Sequence, residues 1–267
     1  MIERLLVVIF LVPIGVGIIA LGGPAYTLLI ALILGAAAWE YWNIFNTSGF
    51  KPSLFLLIGG VLVFVLSRSR FEFTGSDILL SLVVLTAMTY HLYHYEKGRD
   101  LAATDFGITL SGILYLGWVG SYFVSLRNLP EGKWLILIVL PSIWFADSAA
   151  MFTGTRWGKH KLAPRLSPHK TWEGYLGGIL GGAAGGLVMT ALWQLASPGL
   201  IPWRGALLGL ILAIITPLGD LGESMIKRQA GFKDSSHIIP GHGGVMDRID
   251  SWIWGAVIGY YIILWLW

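Results

Sequence analysis

The sequence predicts an all-α, polytopic transmembrane fold of about nine spans, and three observations lead there. Of 267 residues, 55% are hydrophobic and only 12% are charged, against about a quarter charged in soluble domains. The apolar residues fall in blocks rather than at helical or alternating intervals, and many blocks approach the ~20 residues a helix needs to cross a hydrocarbon core. The basic residues concentrate on alternate connections between the blocks. No room is left for a sizeable soluble domain, so 1–267 reads as a single membrane-embedded domain. The absence of cysteine excludes disulfides, thiolate metal sites and thiol catalysis. The formal charge of +3 is small, and no nucleic-acid partner is expected.

Taken in order, the spans are Leu5–Leu21, Pro24–Phe45, Ser53–Leu66, Asp77–Tyr95, Phe106–Val124, Trp134–Phe152, Gly174–Leu195, Gly205–Ser224 and Asp250–Trp267. The first follows Arg4 and resembles a signal peptide at a glance, but its apolar run exceeds the usual signal core of about 7–15 residues. The third is short. With nine spans, Arg4, Lys51, Lys97, Arg99, the 154–173 basic residues and the 225–249 basic residues fall on one side. Arg68, Arg70, Arg127, Lys133 and Arg204 fall on the other, a split of 13 to 5. By the positive-inside rule the first side is cytoplasmic. This predicts a multi-pass protein of the inner (cytoplasmic) membrane with a cytoplasmic N-terminus and an external C-terminus. Trp265 and Trp267 suit an aromatic belt on the far face.

The seventh span carries two glycine series, Gly174/Gly178/Gly182/Gly186 and Gly177/Gly181/Gly185. Four-residue spacing lines each series along a helix face and lets backbones approach closely. Packing within the chain is the first reading; a homodimer contact through this span is the second.

Two loops, Gly154–Glu173 and Met225–Ile249, hold nine of the eighteen basic residues and are dense in Gly, Ser, Pro and His. Around them lie five carboxylates within or beside late spans: Asp147, Asp220, Glu223, Asp247 and Asp250. A charge at mid-bilayer costs about 2.5–3.5 kcal/mol even on lenient scales, so each needs a partner or a polar cavity. Asp220 and Glu223 share a helix face, as do Asp247 and Asp250. Two such pairs can converge on a hard divalent cation; Mg²⁺ takes one or two carboxylates and substrate phosphates. The structural alternative for Glu223 is an ion pair with Lys227, four residues on; for Asp250 it is Arg248 or a helix-start role. Asp147 reads as a ligand, a base-recognition group or a buried structural acid. Glu40, deep in the second span, reads as a structural partner.

Ser167-Pro168 reads as a helix cap followed by proline at the first helical position, and a helix N-terminus beside Lys170 suits an anion. Plain capping explains the same residues. The run Pro240-Gly241-His242-Gly243-Gly244 precedes Asp247 directly, and glycines of this kind let backbone N–H groups approach phosphate oxygens. His242 either contacts phosphate or fills a polar turn.

Read as one string, Ser224 to Arg228, then Lys233-Asp234, then Pro240 to Asp250 resembles the 27-residue signature of phosphatidate cytidylyltransferases, the CDP-diacylglycerol synthases. The segment from Ser167 to Gly174 resembles a second element of that family, with His169 at its variable position. The resemblance implies a reaction of CTP with phosphatidate at a membrane, giving CDP-diacylglycerol and pyrophosphate. It implies a need for Mg²⁺, and it leaves a second, monovalent cation open. It implies Asp220 and Asp247 as principal metal ligands, supported by Asp250, Glu223 or Asp147. Lys227, Arg228, Lys233 and Arg248 would then meet the triphosphate, and Lys170 either the lipid phosphate or CTP. Ser224, His242, Gly243 and Gly244 would bind substrate. Two other classes share parts of the pattern. A polyprenol kinase would have a polar cytoplasmic cluster without the full signature; a transporter would be expected to show internal repeats, and no clear repeat is present.

Overall fold

The computed structural model describes residues 2–236, 238 and 243–267, with side chains from residue 12 onward. Its helices are α1 (Ile2–Leu21), α2 (Gly23–Thr47), α3 (Leu54–Phe71), α4 (Ser76–Glu96), α5 (Ala102–Gly112), α6 (Tyr122–Asn128), α7 (Gly132–Trp157), α8 (Trp172–Gln194), α9 (Pro202–Ile215), α10 (Pro217–Gln229) and α11 (Met246–Leu266). A π-helical stretch, Ile113–Val119, follows α5, and a small antiparallel hairpin, β1 (Lys161–Ala163) and β2 (Ser167–Thr171), precedes α8. Among the described residues eight helical segments are long and apolar enough to cross a membrane, and Val12–Leu21 of α1 is a shorter apolar helix. The chain is therefore a multi-pass helical membrane protein, close to the expected count. The short third span is a full 18-residue helix, Leu54–Phe71. The fifth and eighth are compound: Ala102–Asn128 contains the π stretch, and Pro202–Gln229 breaks between α9 and α10. Pro217 causes that break, because it has no N–H to give and its ring clashes with the preceding turn.

By contacts the chain divides into two compact units: Met1–Ser125 with Gln229–Arg248, and Leu126–Arg228 with Ile249–Trp267. In the first, α2 packs on α3 and α3 on the π stretch. Small residues permit the approach: a Cβ on Gly112 would meet Leu57 and Tyr41 at 2.5 and 2.7 Å, and one on Gly117 would meet the Val61 backbone at 3.1 Å. Arg68 is buried, with its guanidinium 3.7 Å from the Phe73 ring centroid and near the Trp118 and Tyr122 rings. Cation–π contact of this kind suits a guanidinium removed from water.

In the second unit α8 lies between α7 and α9. The series Gly174/Gly178 faces Ala150 and Ala146 of α7, and Gly182/Gly186 faces Gly209 and Gly205 of α9. The series Gly177/Gly181/Gly185 faces Thr153, Ala149 and Phe145 of α7. Both glycine faces are thus packed inside the chain, as the first reading had it.

Candidate active site

The second unit gathers three acids from three helices. Asp147 lies on α7, Asp220 in the first turn of α10, and Asp250 near the start of α11. Small residues bring these helices together. A Cβ on Gly219 would strike the Asp250 carbonyl at 2.5 Å, and one on Gly255 would meet Ile143 at 2.3 Å. The Trp144 and Trp252 rings, near Asp147 and Asp250 in sequence, meet at a tilt of 48° with centroids 5.4 Å apart. As a result Asp147, Asp220 and Asp250 interact electrostatically with one another. Lysines offset the crowding: Lys170 pairs with Asp220 and acts on Asp147, and Lys227 acts on Asp250. The cluster is open, with Asp147 exposed and Asp220 and Asp250 half-buried. Pro217 also matters here, since the new helix it starts puts Asp220 in a first turn, where a negative charge is favoured by the helix dipole.

Lys170 reaches this cluster from β2, which corrects the expected cap. Ser167-Pro168 is extended strand paired with Lys161–Ala163, and Thr171 is the residue that caps α8, its Oγ1 accepting from the Gly174 N–H at 3.1 Å. Pro168 is tolerated because a two-stranded hairpin is all edge. Glu173, which the sequence reading passed over, clasps the preceding turn. It accepts from the Lys159 N–H at 3.0 Å and lies 2.6 Å from His160 Nδ1.

Glu223 takes the structural alternative. It is 1% exposed, and Lys227 Nζ lies 3.0 Å from its Oε1. Ser224 Oγ donates to Asp220 Oδ1 at 3.4 Å. Arg228 is exposed at the end of α10.

The remaining candidates belong to the first unit. Asp247 Oδ2 accepts from Ser235 N, Ser235 Oγ and Gly244 N, each at 2.9 Å. The Gly244 N–H, expected to face phosphate, is therefore given to Asp247, whose side chain reaches back from the first turn of α11 as in a capping box. Glu40 completes the arrangement. Fully buried, it accepts from Ser235 Oγ and Met246 N at 2.9 and 2.7 Å, and from Ser236 Oγ and Val245 N at 2.6 and 2.8 Å. This is the structural role expected of it. Gly244 sits so close that a Cβ would lie 1.9 Å from Ser235 Oγ. Gly243 adopts a positive φ of 81°, a conformation glycine allows at no steric cost. Lys233 and Arg248 are exposed. His242 lies outside the described residues. Ser235 and Ser236 were not singled out from sequence, although a glutamate deep in an apolar span signals that some distant donor must meet it.

No group of three or more His, Asp or Glu side chains among the described residues is arranged to hold a metal ion. The acids of the second unit still suit Mg²⁺ chemically. It takes hard oxygen ligands, needs only one or two protein carboxylates, and completes its shell with water and substrate phosphate.

A membrane-embedded helical protein in which acids from three helices cluster beside lysines defines a class, that of integral membrane enzymes handling charged substrates. The cytidylyltransferase family model matches residues 2–266, and the chain belongs to that family. Similar proteins include the phosphatidate cytidylyltransferase of Pseudomonas aeruginosa, 35% identical over 98% of this chain and 96% of its own length. That of Brucella suis is 34% identical over 90% and 84%, and that of Synechocystis 31% over 98% and 96%.

Proposed function

We propose that the chain transfers CMP from CTP to phosphatidate, giving CDP-diacylglycerol and pyrophosphate in phospholipid biosynthesis. The observation that carries this reading is the cluster of Asp147, Asp220 and Asp250 with Lys170 paired to Asp220, in a chain whose whole length matches the family. An oxygen of the phosphatidate phosphate attacks the α-phosphorus of CTP, and the bond from that phosphorus to the oxygen bridging to the β-phosphorus breaks, releasing pyrophosphate. The nucleophile is already an anion, so no activated serine is required. The barrier lies in bringing two anions together, which positioned cations lower electrostatically.

Asp220 with Asp250, supported by Asp147, would hold Mg²⁺, which when bound supplies charge neutralisation at the transferring phosphoryl group. Lys170, held by Asp220, is placed to meet a phosphate once the cation takes the carboxylate. Arg228, at the end of α10 in the same unit, supplies counter-charge for the triphosphate. Lys227 steadies Glu223 and Asp250, and Asp247 organises the loop that carries Gly243 and Gly244.

The test is incubation of the purified protein with phosphatidate, Mg²⁺ and CTP labelled at the α- or the γ-phosphate. Label from the α-phosphate should enter the lipid and label from the γ-phosphate should not. The reverse pattern would make the protein a CTP-dependent lipid kinase.

We further propose that the protein lies in the cytoplasmic membrane with its N-terminus inside and its C-terminus outside. The 13-to-5 basic split supports this. So do contacts within the first unit among segments assigned to the same side: Ser48 Oγ donates to the Ala230 carbonyl at 3.2 Å and Arg99 Nη2 to that of Gly49 at 3.1 Å. Reporter fusions after Lys170 and after Lys233 should both read cytoplasmic; opposite readings would sink the orientation.

A further inference from the structure

The first unit contains a cleft of about 500 Å³ that shares no residue with the carboxylate cluster. It is formed where the α2–α3 and α4–α5 connections meet. Arg99 Nε donates to Asp105 Oδ2 at 2.7 Å and its Nη2 to Oδ1 at 3.2 Å, while the Lys51 N–H donates to Oδ1 at 2.8 Å. Asp105 is fully buried, so its acceptor capacity is spent on holding the arginine and the Lys51 backbone. That hydrogen bonding also holds the Arg99 guanidinium above its ordinary pKa. Beneath, His91 Nε2 lies 3.0 Å from Thr109 Oγ1, which accepts the Ser53 N–H at 3.0 Å. The basic side chains of Lys51, Arg99 and His94 therefore line the cleft opposite a single acid already in use. Among the described residues Lys51 Nζ donates to Asn46 Oδ1 alone, at 3.2 Å, which leaves it two further protons. Trp42, Tyr90 and Phe55 form the apolar part of the wall. Phe55 is 82% exposed in the first turn of a membrane-spanning helix, so it faces acyl chains.

We propose that this cleft binds the headgroup of an anionic membrane phospholipid. Lys51 and Arg99 supply charge-assisted donors for a phosphate, and the His94 ring adds a polar contact. They sit at helix ends, the depth at which headgroups lie. The aromatic wall and Phe55 continue from the charged part toward the hydrocarbon, and aromatic side chains favour this interface. A free phosphate would use the donors and leave that wall without a partner, so the lipid is the better match.

Native mass spectrometry of the full chain in detergent tests this, using phosphatidylglycerol, an anionic lipid that is not phosphatidate, against phosphatidylcholine at matched concentration. One phosphatidylglycerol should be retained in preference to phosphatidylcholine. The double variant Lys51→Gln/His94→Gln should lower that retention about tenfold, the equivalent of one charge-assisted hydrogen bond. Neither side chain contacts Asp105; the variant gives up one exposed bond to Asn46 and the His94 ring contact with Tyr90, so the melting temperature should fall only slightly. Asp220→Asn should retain phosphatidylglycerol as the unaltered chain does. Equal retention of both lipids, full retention by the double variant, or equal loss in Asp220→Asn would overturn the proposal. Displacement by inorganic phosphate at the lipid's own concentration would overturn the lipid assignment.

Discussion

Glu40 in the first unit and Asp220 in the second are both carboxylates within segments long and apolar enough to span a membrane, and both face the same energetic problem. They meet it differently. Glu40 accepts four hydrogen bonds, all from backbone N–H groups and serine hydroxyls of residues 235–246. Its partners are fixed and its capacity is used. Asp220 is half-buried, lies in electrostatic range of two further acids, and is matched by a lysine on a hairpin. Its partner is a charge that a substrate or a cation can replace. An intramembrane acid satisfied by neutral donors organises structure, whereas one held among like charges against a displaceable cation is suited to chemistry.

Asp220→Asn should break the comparison most sharply. The change keeps size and polarity, so the melting temperature should hold, while transfer of CMP to phosphatidate falls by about a hundredfold or more, as when a preorganised electrostatic group is lost. Residual activity should need more Mg²⁺. Near-normal turnover with an unshifted Mg²⁺ dependence would remove Asp220 from the site and leave Asp250 and Asp147 to carry it.

Lys227→Met moves the other way. It removes the cation 3.0 Å from Glu223 Oε1 in a buried setting, and breaking a buried pair costs about 3–5 kcal/mol. Stability should fall, while the KM for CTP stays within about twofold, a factor worth under 1 kcal/mol. A raised KM at unchanged melting temperature would transfer Lys227 to the nucleotide, as the resemblance implied.

Glu40→Gln should cost less, about 2–3 kcal/mol. The amide keeps one acceptor oxygen but turns N–H donors toward a backbone and a serine that also donate. The loss should show as a lower melting temperature and faster proteolysis between residues 230 and 245. Unchanged proteolysis there would mean that Glu40 is not what holds the loop.

How far the sequence revealed this division can be read from particular residues. The spans were legible because hydropathy needs no knowledge of neighbours. The role of Glu40 was legible too, since an acid deep in an apolar helix must meet a partner. The i,i+4 pairing of Glu223 with Lys227 was visible as one of two readings, but spacing alone could not choose between them. The cap at Ser167 was misread, because its composition suits a helix start equally well and only the pairing with Lys161–Ala163 makes the segment a strand. Asp247 stands on the same helix face as Asp250, yet its partners are Ser235 and Gly244. Those contacts depend on how a long polar connection folds back, which no local pattern encodes.

The smallest expected effect removes one bond of the Glu40 set, together with the acceptance by Ser236 Oγ of the exposed Ile238 N–H at 3.2 Å. Ser236 Oγ donates to Glu40 Oε1 at 2.6 Å, and Val245 N donates to the same oxygen at 2.8 Å. Ser236→Ala therefore leaves Oε1 with a partner and creates no donor clash, unlike the glutamine. A hydrogen bond to a charged group contributes about 1.5–3 kcal/mol in general, but polar contacts within membrane proteins average nearer 0.6. A loss of about 1 kcal/mol is the expected value between these limits. It should appear as a small drop in melting temperature with CMP transfer unchanged, because Glu40 and its loop stay in place. A large loss of transfer at unchanged melting temperature would show that Ser236 acts on substrate rather than on Glu40. The first unit would then hold reacting groups of its own, and the division between organising and chemical acids would have to be redrawn.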